Sequence, residues 1–394
     1  MITDTGRHGG LLRRRGESAA EVTPVELFFD LVYVIAITQL THYLVGHLSL
    51  RGAGQTLLLL LAVWGCWNYT TWFTNYFDPG KLPVRLLLVG LMLASLVMSA
   101  SLPDAFAGWG LTFAVAYVAL NVGRTAFALA SLGRHHPLTG VFARPLVWWS
   151  ATGILWVVGG TVDGGGRIAC WIAAVAIEYV GVWAGFATPH LGRSRTTDYT
   201  IAGGHMAERC QLFVLLALGE SLLGTGVNFG RLPRSPGTIV AFAAAFVGSV
   251  ALWWIYFNRG AEAGQELIAK AKDPGRLGVV AYTYAHVPMV AGIIAFAAAA
   301  DLTIPHPATN ATTATTALIL GGPGLYLVGH AVFKQTLWQH VAWPQVLAVL
   351  ALVASIALAP VSSRLVLLAV AVIVLFVVAV WDTYSGTRGS TEPE

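Results

Sequence analysis

The sequence is poor in charged residues: Asp, Glu, Lys and Arg make up 11% of its 394 residues, against roughly a quarter in a soluble domain. It also lacks the spacings typical of metal ligands, phosphate-binding loops, serine nucleophiles and diphosphate-binding aspartates. Its three cysteines, Cys66, Cys170 and Cys210, stand in apolar segments without a Cys-x-x-Cys spacing, which argues against disulfides. We therefore expect a protein without a metal site and without a cofactor.

Long apolar runs recur along the whole chain instead. Hydrophobic residues make up 56% of the sequence and the mean hydropathy is +0.69. Runs of about 20 mostly apolar residues are long enough to cross a bilayer as helices. We therefore predict an all-α, polytopic transmembrane helix bundle whose partner is the lipid bilayer and not nucleic acid, despite a net charge of +4. The twelve expected spans lie near residues 24–47, 54–77, 84–102, 107–132, 142–160, 167–187, 205–228, 237–258, 276–300, 313–335, 344–361 and 363–384.

The basic residues predict the orientation of the chain. Residues 1–22 are rich in Arg and lack the apolar core and cleavage site of a signal peptide, so we expect a disordered cytoplasmic tail. Lys and Arg then concentrate in the connections on the same side as this tail, which places both termini in the cytoplasm and the chain in the cytoplasmic (inner) membrane. Two six-helix membrane halves, residues 23–200 and 201–385, are expected between this tail and a short C-terminal tail, residues 386–394.

Short matches between the two halves favour an internal duplication. Residues 23–26 match residues 205–208, because each group ends in Glu and begins an apolar span. Residues 76–78 match residues 256–258, since both read Tyr-Phe followed by Asp or Asn. An even number of spans in each half gives both halves the same orientation, as in the parallel repeats of some transporters. The expected architecture is therefore two parallel six-helix repeats.

Two carboxylates interrupt the first apolar span. Glu26, Asp30 and Tyr33 share one helix face, since they stand at positions i, i+4 and i+7. An aspartate at the centre of a membrane helix costs about 2.5–3.5 kcal/mol, so each acid needs an explanation. Residues 23–26, Thr-Pro-Val-Glu, are typical of a capping box, which gives Glu26 a local role. Asp30 lies too far into the helix to cap it, so it is either paired with a basic residue of another span or functional.

The seventh span carries a second group of charged residues. His205, Arg209 and Glu220 lie on one stripe of this helix, with Glu208 beside it. Arg209 and Glu220 are about 16 Å apart along the helix axis, so each needs a partner on another helix. We expect Arg209 to meet either acid of the first span. Glu220 is expected to meet Arg124, a basic residue well inside the fourth span.

Further polar residues stand inside other spans. The second span, residues 64–77, is rich in Asn, Thr, Tyr and Trp, which suits either the wall of an internal cavity or hydrogen bonding between helices. Glu178 lies midway along the sixth span. His286 and His330 lie in the ninth and tenth, where a single histidine is more often a hydrogen-bonded packing residue than a ligand.

The segments VELFFDLVYVIAITQL (residues 25–40) and HMAERCQLFVLLALGES (residues 205–221) resemble the two signature segments of the bacterial low-temperature-requirement A family of membrane proteins. The resemblance extends to the length and the pattern of spans, so it covers essentially the whole chain. It implies a multi-pass membrane protein but no particular reaction. The characteristic positions of the family that it implies here are Glu26, Phe28, Phe29, Asp30, His205, Glu208, Arg209, Gly219 and Glu220.

Three roles are compatible with these residues. The first is a transporter-like protein with a polar site between the two halves, in which a carboxylate exchanges protons during transport of an unidentified small molecule. The second is an intramembrane enzyme in which a desolvated carboxyl is the general acid for an isoprenoid, quinone or other lipid-soluble substrate. The third is a structural role. For the first two, Asp30 and Glu220 are the expected acid–base residues, and the expected substrate-binding residues are Glu26, Glu208, Arg209, His205, Arg124 and Tyr33.

Overall fold

Helices make up most of the described chain. A computed structural model describes residues 10–13, 21–133, 135–258 and 260–388, and within them it contains no β-strand. Most of the predicted N-terminal tail, and residues 389–394 of the C-terminal one, lie outside these residues. The helices are α1 (Pro24–Gly46), α2 (Leu50–Tyr76), α3 (Leu82–Ser101), α4 (Gly110–Ser131), α5 (Thr139–Thr161), α6 (Gly165–Trp183), α7 (Gly203–Gly230), α8 (Pro236–Phe257), α9 (Gly260–Lys270), α10 (Pro274–Leu277), α11 (His286–Thr303), α12 (Thr313–Trp338), α13 (Trp343–Ser355) and α14 (Arg364–Arg388).

The predicted polytopic helix bundle is confirmed. Eleven segments of the described chain are long and apolar enough to cross a membrane. One of them, Pro274–Thr303, joins α10 to α11 through a short π-helical stretch, Gly278–Tyr284. The predicted second span is also a long helix, the 27-residue α2, but its polar residues keep it outside this apolar set.

The outer surface of the helices suits lipid. On α3, Leu82, Leu86, Val89 and Leu93 are each more than half exposed, and their spacing places them on one face. A continuous apolar stripe of this kind would promote association in water. The exposed face of α3 therefore indicates contact with the lipid bilayer, as the sequence predicts.

The chain divides into two compact units. The first comprises Met1–Gln39, Gln55–Arg209 and Ala269–Arg276, and in it α3, α4, α5 and α6 pack in chain order, each against the next. The second comprises Leu40–Gly54, Cys210–Ile268 and Leu277–Glu394; in it α12 packs against α11, α13 and α14, and α8 packs against α14. The expected division into halves at residue 200 stays a prediction.

The closest helix contact of the second unit depends on glycine. A Cβ atom on Gly292 of α11 would lie 2.6 Å from the carbonyl oxygen of Gly322 on α12, and one on Gly322 would lie 2.9 Å from the backbone of Phe296. These distances are too short for a side chain. The glycines therefore allow α11 and α12 to pack backbone against backbone, as small residues do between membrane helices.

Candidate functional site

The first turn of α1 combines a helix cap with a buried acid. Glu26 Oε2 accepts hydrogen bonds from the backbone N–H of Thr23 at 2.9 Å and from its hydroxyl at 2.8 Å. The cap predicted for Glu26 is therefore confirmed, but it is only part of the role of this residue. The carboxylate is completely buried, and its other oxygen faces α7.

A histidine at the start of α7 contacts this acid. His205 Nε2 lies 2.7 Å from Glu26 Oε1. Asn75, near the end of α2, accepts from the backbone N–H of Ala202 at 2.7 Å, which orients its amide so that Nδ2 lies 3.2 Å from His205 Nδ1. Because an amide nitrogen can only donate, Nδ1 accepts and the proton of the neutral ring is on Nε2. His205 thus donates to Glu26 as a neutral imidazole.

A second pair lies one helical turn further along. Arg209 Nη2 donates to Asp30 Oδ1 at 2.6 Å, and Trp67 Nε1 of α2 donates to the same oxygen at 2.7 Å. Arg209 Nη1 lies 3.2 Å from Glu26 Oε1, so one guanidinium faces both acids. The predicted pairing of Arg209 with the acids of the first span is confirmed.

These residues form one buried group, which we name the charged cluster: Glu26, Asp30, His205 and Arg209. All four side chains are fully buried. In each helix the two members are four residues apart, so the pairs lie about 6 Å apart along the axes. The guanidinium carbon of Arg209 also lies 5.8 Å from the centre of the Trp67 ring, which covers the cation from the side of α2.

The charged cluster keeps unused hydrogen-bonding capacity. Within the described part of the chain, Asp30 Oδ2 has no donor, and Arg209 Nε and Nη1 have no hydrogen-bond acceptor. Leaving a buried polar atom unsatisfied costs about 1–3 kcal/mol, and more for a charged group. A buried carboxylate oxygen beside unused N–H groups can accept a proton, a water molecule or a polar group of a ligand. This is the chemistry that a binding or proton-exchange site requires.

The first unit also contributes a residue that sequence analysis did not select. Arg13 Nη2 lies 3.3 Å and 3.2 Å from the two oxygens of Glu26 and 3.3 Å from His205 Nε2. In the sequence, Arg13 is one of several arginines of the predicted basic tail. The adjacent Leu11 and Leu12, two apolar residues in a polar segment, are the signal that could have indicated a contact with the folded chain.

Three other predicted site residues lie apart from the charged cluster. Glu208 is half-buried and its Oε2 accepts from the backbone N–H of Val22 at 3.3 Å. The hydroxyl of Tyr33 lies 3.1 Å from the hydroxyl of Ser95 on α3. Glu220 is half-buried on the part of α7 that belongs to the second unit.

The environment of Arg124 contradicts the pairing predicted for it. Its guanidinium donates to the carbonyl of Cys66 at 3.3 Å, the hydroxyl of Thr70 at 2.9 Å and the amide oxygen of Asn121 at 2.8 Å. Each of these acceptors is neutral, and no carboxylate among the described residues forms an ion pair with Arg124. The prediction that Arg124 pairs with Glu220 is therefore wrong. Two aromatic rings also face the guanidinium group of Arg124. Its central carbon lies 5.9 Å from the centre of the Tyr69 ring on α2 and 5.5 Å from that of Trp149 on α5.

Glu178 is the converse case, a buried acid surrounded by neutral donors. Tyr117 of α4 donates a short hydrogen bond to Oε2, while Thr152 and Trp156 of α5 donate to Oε1 at 2.8 Å and 3.0 Å. Among the described residues it forms no ion pair. The ring of Tyr117 packs 4.3 Å from that of Trp156, so the carboxyl lies in an aromatic environment.

The histidines of the second unit fit the packing role predicted for them. His286 Nδ1 donates to the carbonyl of Ala281 at 2.8 Å, and Nε2 therefore accepts from the hydroxyl of Tyr256, also at 2.8 Å. His330 Nδ1 lies 3.3 Å from Gln345 Nε2. Both rings also stack among tyrosine and phenylalanine side chains.

Comparison with known proteins agrees with this geometry. The model of the family described as "Bacterial low temperature requirement A protein (LtrA)" matches residues 21–380. An uncharacterized protein of Rhizobium meliloti (strain 1021) is 35% identical over 376 residues, which cover 95% of this chain and 92% of that protein. No solved structure matches the chain. The match includes both helix starts that build the charged cluster, and the chain belongs to the bacterial low temperature requirement A family of membrane proteins.

Proposed function

We propose that the protein is transporter-like and that the charged cluster is its acid–base site. The observation that carries this proposal is the completely buried group of two acids, one guanidinium and one neutral imidazole at the starts of α1 and α7. With both acids ionised, Arg209 compensates one of them, and Arg13, 3.2 Å from Glu26, compensates the other. When Arg13 leaves Glu26, the charged cluster needs one further positive charge, which a proton or a cation can supply.

This requirement links the geometry to transport. Asp30 Oδ2 has no partner within the described chain, so it is the oxygen best placed to take up a proton. A site that holds either a proton or a cation, but not both, couples the movement of the two. Acidic residues within membrane-spanning segments are typical of proton relays and of substrate and ion pathways. We place the protein in the cytoplasmic membrane, with both termini in the cytoplasm.

Proton movement in proteoliposomes tests the proposal. The purified protein is reconstituted with a trapped pH-sensitive dye, and small organic cations and anions are supplied outside in turn. We expect at least one solute to drive a pH change that Asp30→Asn and Glu26→Gln both diminish. Asp104→Asn, which neutralises an exposed acid after α3, is the matched control and should leave the signal intact. A pH change that is unaltered in both test variants would refute the proposal.

The environment of Glu178 supports a second candidate function, that of an intramembrane enzyme. A carboxyl held by Tyr117, Thr152 and Trp156, with no cation paired to it in the described chain, resembles a buried general acid beside aromatic faces that can stabilise a cationic intermediate. Incubation with short isoprenoid alcohols and a quinone, followed by mass spectrometry, tests it. Conversion by the wild type and not by Glu178→Gln would support this function, and the absence of conversion by the wild type would exclude it for these substrates.

A further inference from the structure

Residues 11–13 are fixed to the end of α2. The backbone N–H of Arg13 donates to the carbonyl of Tyr76 at 2.8 Å, and that of Asp78 donates to the carbonyl of Leu11 at 2.9 Å. Leu12 lies opposite Phe77 in an antiparallel bridge. Both leucines pack against the apolar cluster that contains Phe77. The segment is therefore held by backbone hydrogen bonds and apolar contact, and the side chain of Arg13 is brought to the charged cluster.

Every nitrogen of the Arg13 guanidinium faces an oxygen atom. Nε donates to the carbonyl of Thr74 at 3.1 Å, Nη1 to the carbonyl of Glu21 at 3.1 Å, and Nη2 to the carboxylate of Glu26. The carbonyl of Thr74 belongs to the last turn of α2, where carbonyl groups lack partners within the helix and carry the negative end of its dipole. These three oxygen groups surround a planar cation, which is the shape that a guanidinium group matches best.

Arg13 supplies charge more than hydrogen bonds. Without it, Glu26 still accepts from Thr23, from His205 and, at ion-pair distance, from Arg209. The charge balance differs, because two ionised acids would then face a single guanidinium. A cation is therefore required beside Glu26, but it does not have to be covalently attached to the chain.

Arg13 also separates the buried pair from the surface. Glu26 and His205 are completely buried, whereas the Arg13 side chain that touches both is 8% exposed. Removing this side chain would open the Glu26 end of the charged cluster to solutes. Asp30, whose Oδ2 has no donor among the described residues, would then be the next acid along the same two helices.

We propose that the Glu26 end of the charged cluster is a binding site for a guanidinium-bearing cation, and that Arg13 occupies it as a tethered competitor. The proposal builds on the proposed function, since it names the solute class that would enter the site. Displacement of Arg13 by such a solute would exchange one planar cation for another at the same three oxygen groups. The binding step is testable without any transport measurement, so its failure and a failure of transport are distinguishable.

Carbethoxylation of histidine by diethyl pyrocarbonate, read by mass spectrometry of the full-length protein in detergent, measures the opening of the site. His205 should be protected in the wild type and labelled in Arg13→Ala. Loss of a hydrogen bond to a charged group corresponds to roughly a tenfold or larger change in such an opening equilibrium. The exposed His190 normalises the reaction, and the buried His286 and His330 report unfolding, because they react only if the second unit opens.

Guanidinium chloride at about 10 mM, where a site with a millimolar Kd is mostly occupied, is the binding probe. We expect it to restore protection of His205 in Arg13→Ala, whereas sodium and tetramethylammonium chloride at the same concentration do not. Arg85→Ala, which removes an exposed arginine of α3, is the matched control and should leave His205 protected. If Arg13→Ala also exposes the buried histidines of the second unit, Arg13→Gln replaces it, because glutamine keeps a donor and removes the charge.

Three results would overturn the proposal. Unchanged labelling of His205 in a folded Arg13 variant would show that Arg13 does not cover the site. Increased labelling that guanidinium leaves unaltered would show that the opened site does not take this cation. Equal protection by sodium would show that the site responds to charge or ionic strength and does not select a planar cation.

Discussion

Replacement of Arg209 by methionine should strongly destabilise the first unit. Methionine fills much of the same volume but removes the cation that faces both acids of the charged cluster. Asp30 would keep only the hydrogen bond from Trp67, whereas Glu26 would keep Thr23 and His205 as donors. Breaking a buried ion pair by removal of one partner costs about 3–5 kcal/mol, because the remaining charge stays buried. We expect Arg209→Met to fall in this range.

Neutralising the correct acid should rescue the variant. In the Arg209→Met background, Asp30→Asn removes the charge that has lost most of its compensation, so it should recover more than half of the lost stability. Glu26→Gln should recover less, because Glu26 retains other partners. In addition, the NH2 group of glutamine cannot accept the hydrogen bonds that a carboxylate oxygen accepts. A coupling energy of about 0.5–3 kcal/mol is expected between positions 30 and 209.

Unfolding in mixed micelles with increasing dodecyl sulfate, followed by tryptophan fluorescence, measures these free energies. Arg124→Met is the matched control at a buried arginine, and Arg85→Met is the control at an exposed one. Arg124→Met should cost less than Arg209→Met, because it leaves three neutral acceptors behind and no paired carboxylate. Equal losses for the two buried arginines, or better rescue by Glu26→Gln than by Asp30→Asn, would refute the reasoning.

Three further predictions concern the same unit and the membrane topology. Trp67→Phe removes a donor from the buried aspartate and should cost about 1–3 kcal/mol in the same titration, whereas Trp149→Phe should lose no hydrogen-bond energy, because the Trp149 N–H has no acceptor in the described chain. Tyr117→Phe deletes the short hydrogen bond to Glu178 and should cost a similar amount; no loss would mean that the carboxyl does not need this donor. Green fluorescent protein fused to a terminus fluoresces only if that terminus lies in the cytoplasm. If α2 crosses the membrane, twelve crossings return the chain to its starting side, and both fusions should fluoresce. Fluorescence of one fusion alone would mean that α2 does not cross.

The fold could be predicted from the sequence because the membrane imposes simple rules. Apolar runs of the required length recur, and breaks between them coincide with Gly and Pro, so helix positions follow from hydropathy alone. The exception is α2, whose sequence is long enough to cross but carries many polar side chains. Its Trp67 and Asn75 bind the charged cluster, so the feature that lowers its hydropathy is the one that builds the site.

Charge counting predicted one buried pair and failed for another. It assumed that each buried cation meets a buried anion, which holds for Arg209. It fails for Arg124, because a guanidinium has five N–H donors and can be satisfied by carbonyl, hydroxyl and amide oxygens together with aromatic faces. Glu178 fails the same assumption with the signs reversed. Neutral partners of this kind come from three different helices, and no spacing in the sequence indicates which helices will be adjacent.

The charged cluster bears on the proposed duplication. One contact between α1 and α7 would fit helices of either relative direction, but there are two. Glu26 meets His205 and, four residues later in both helices, Asp30 meets Arg209. Equal steps of the same sign require the starts of α1 and α7 to run side by side in the same direction. A parallel repeat of six spans requires this of the first helix in each half, whereas an inverted repeat would require opposite directions. The geometry is therefore compatible with a parallel duplication and not with an inverted one, and the duplication itself stays a prediction.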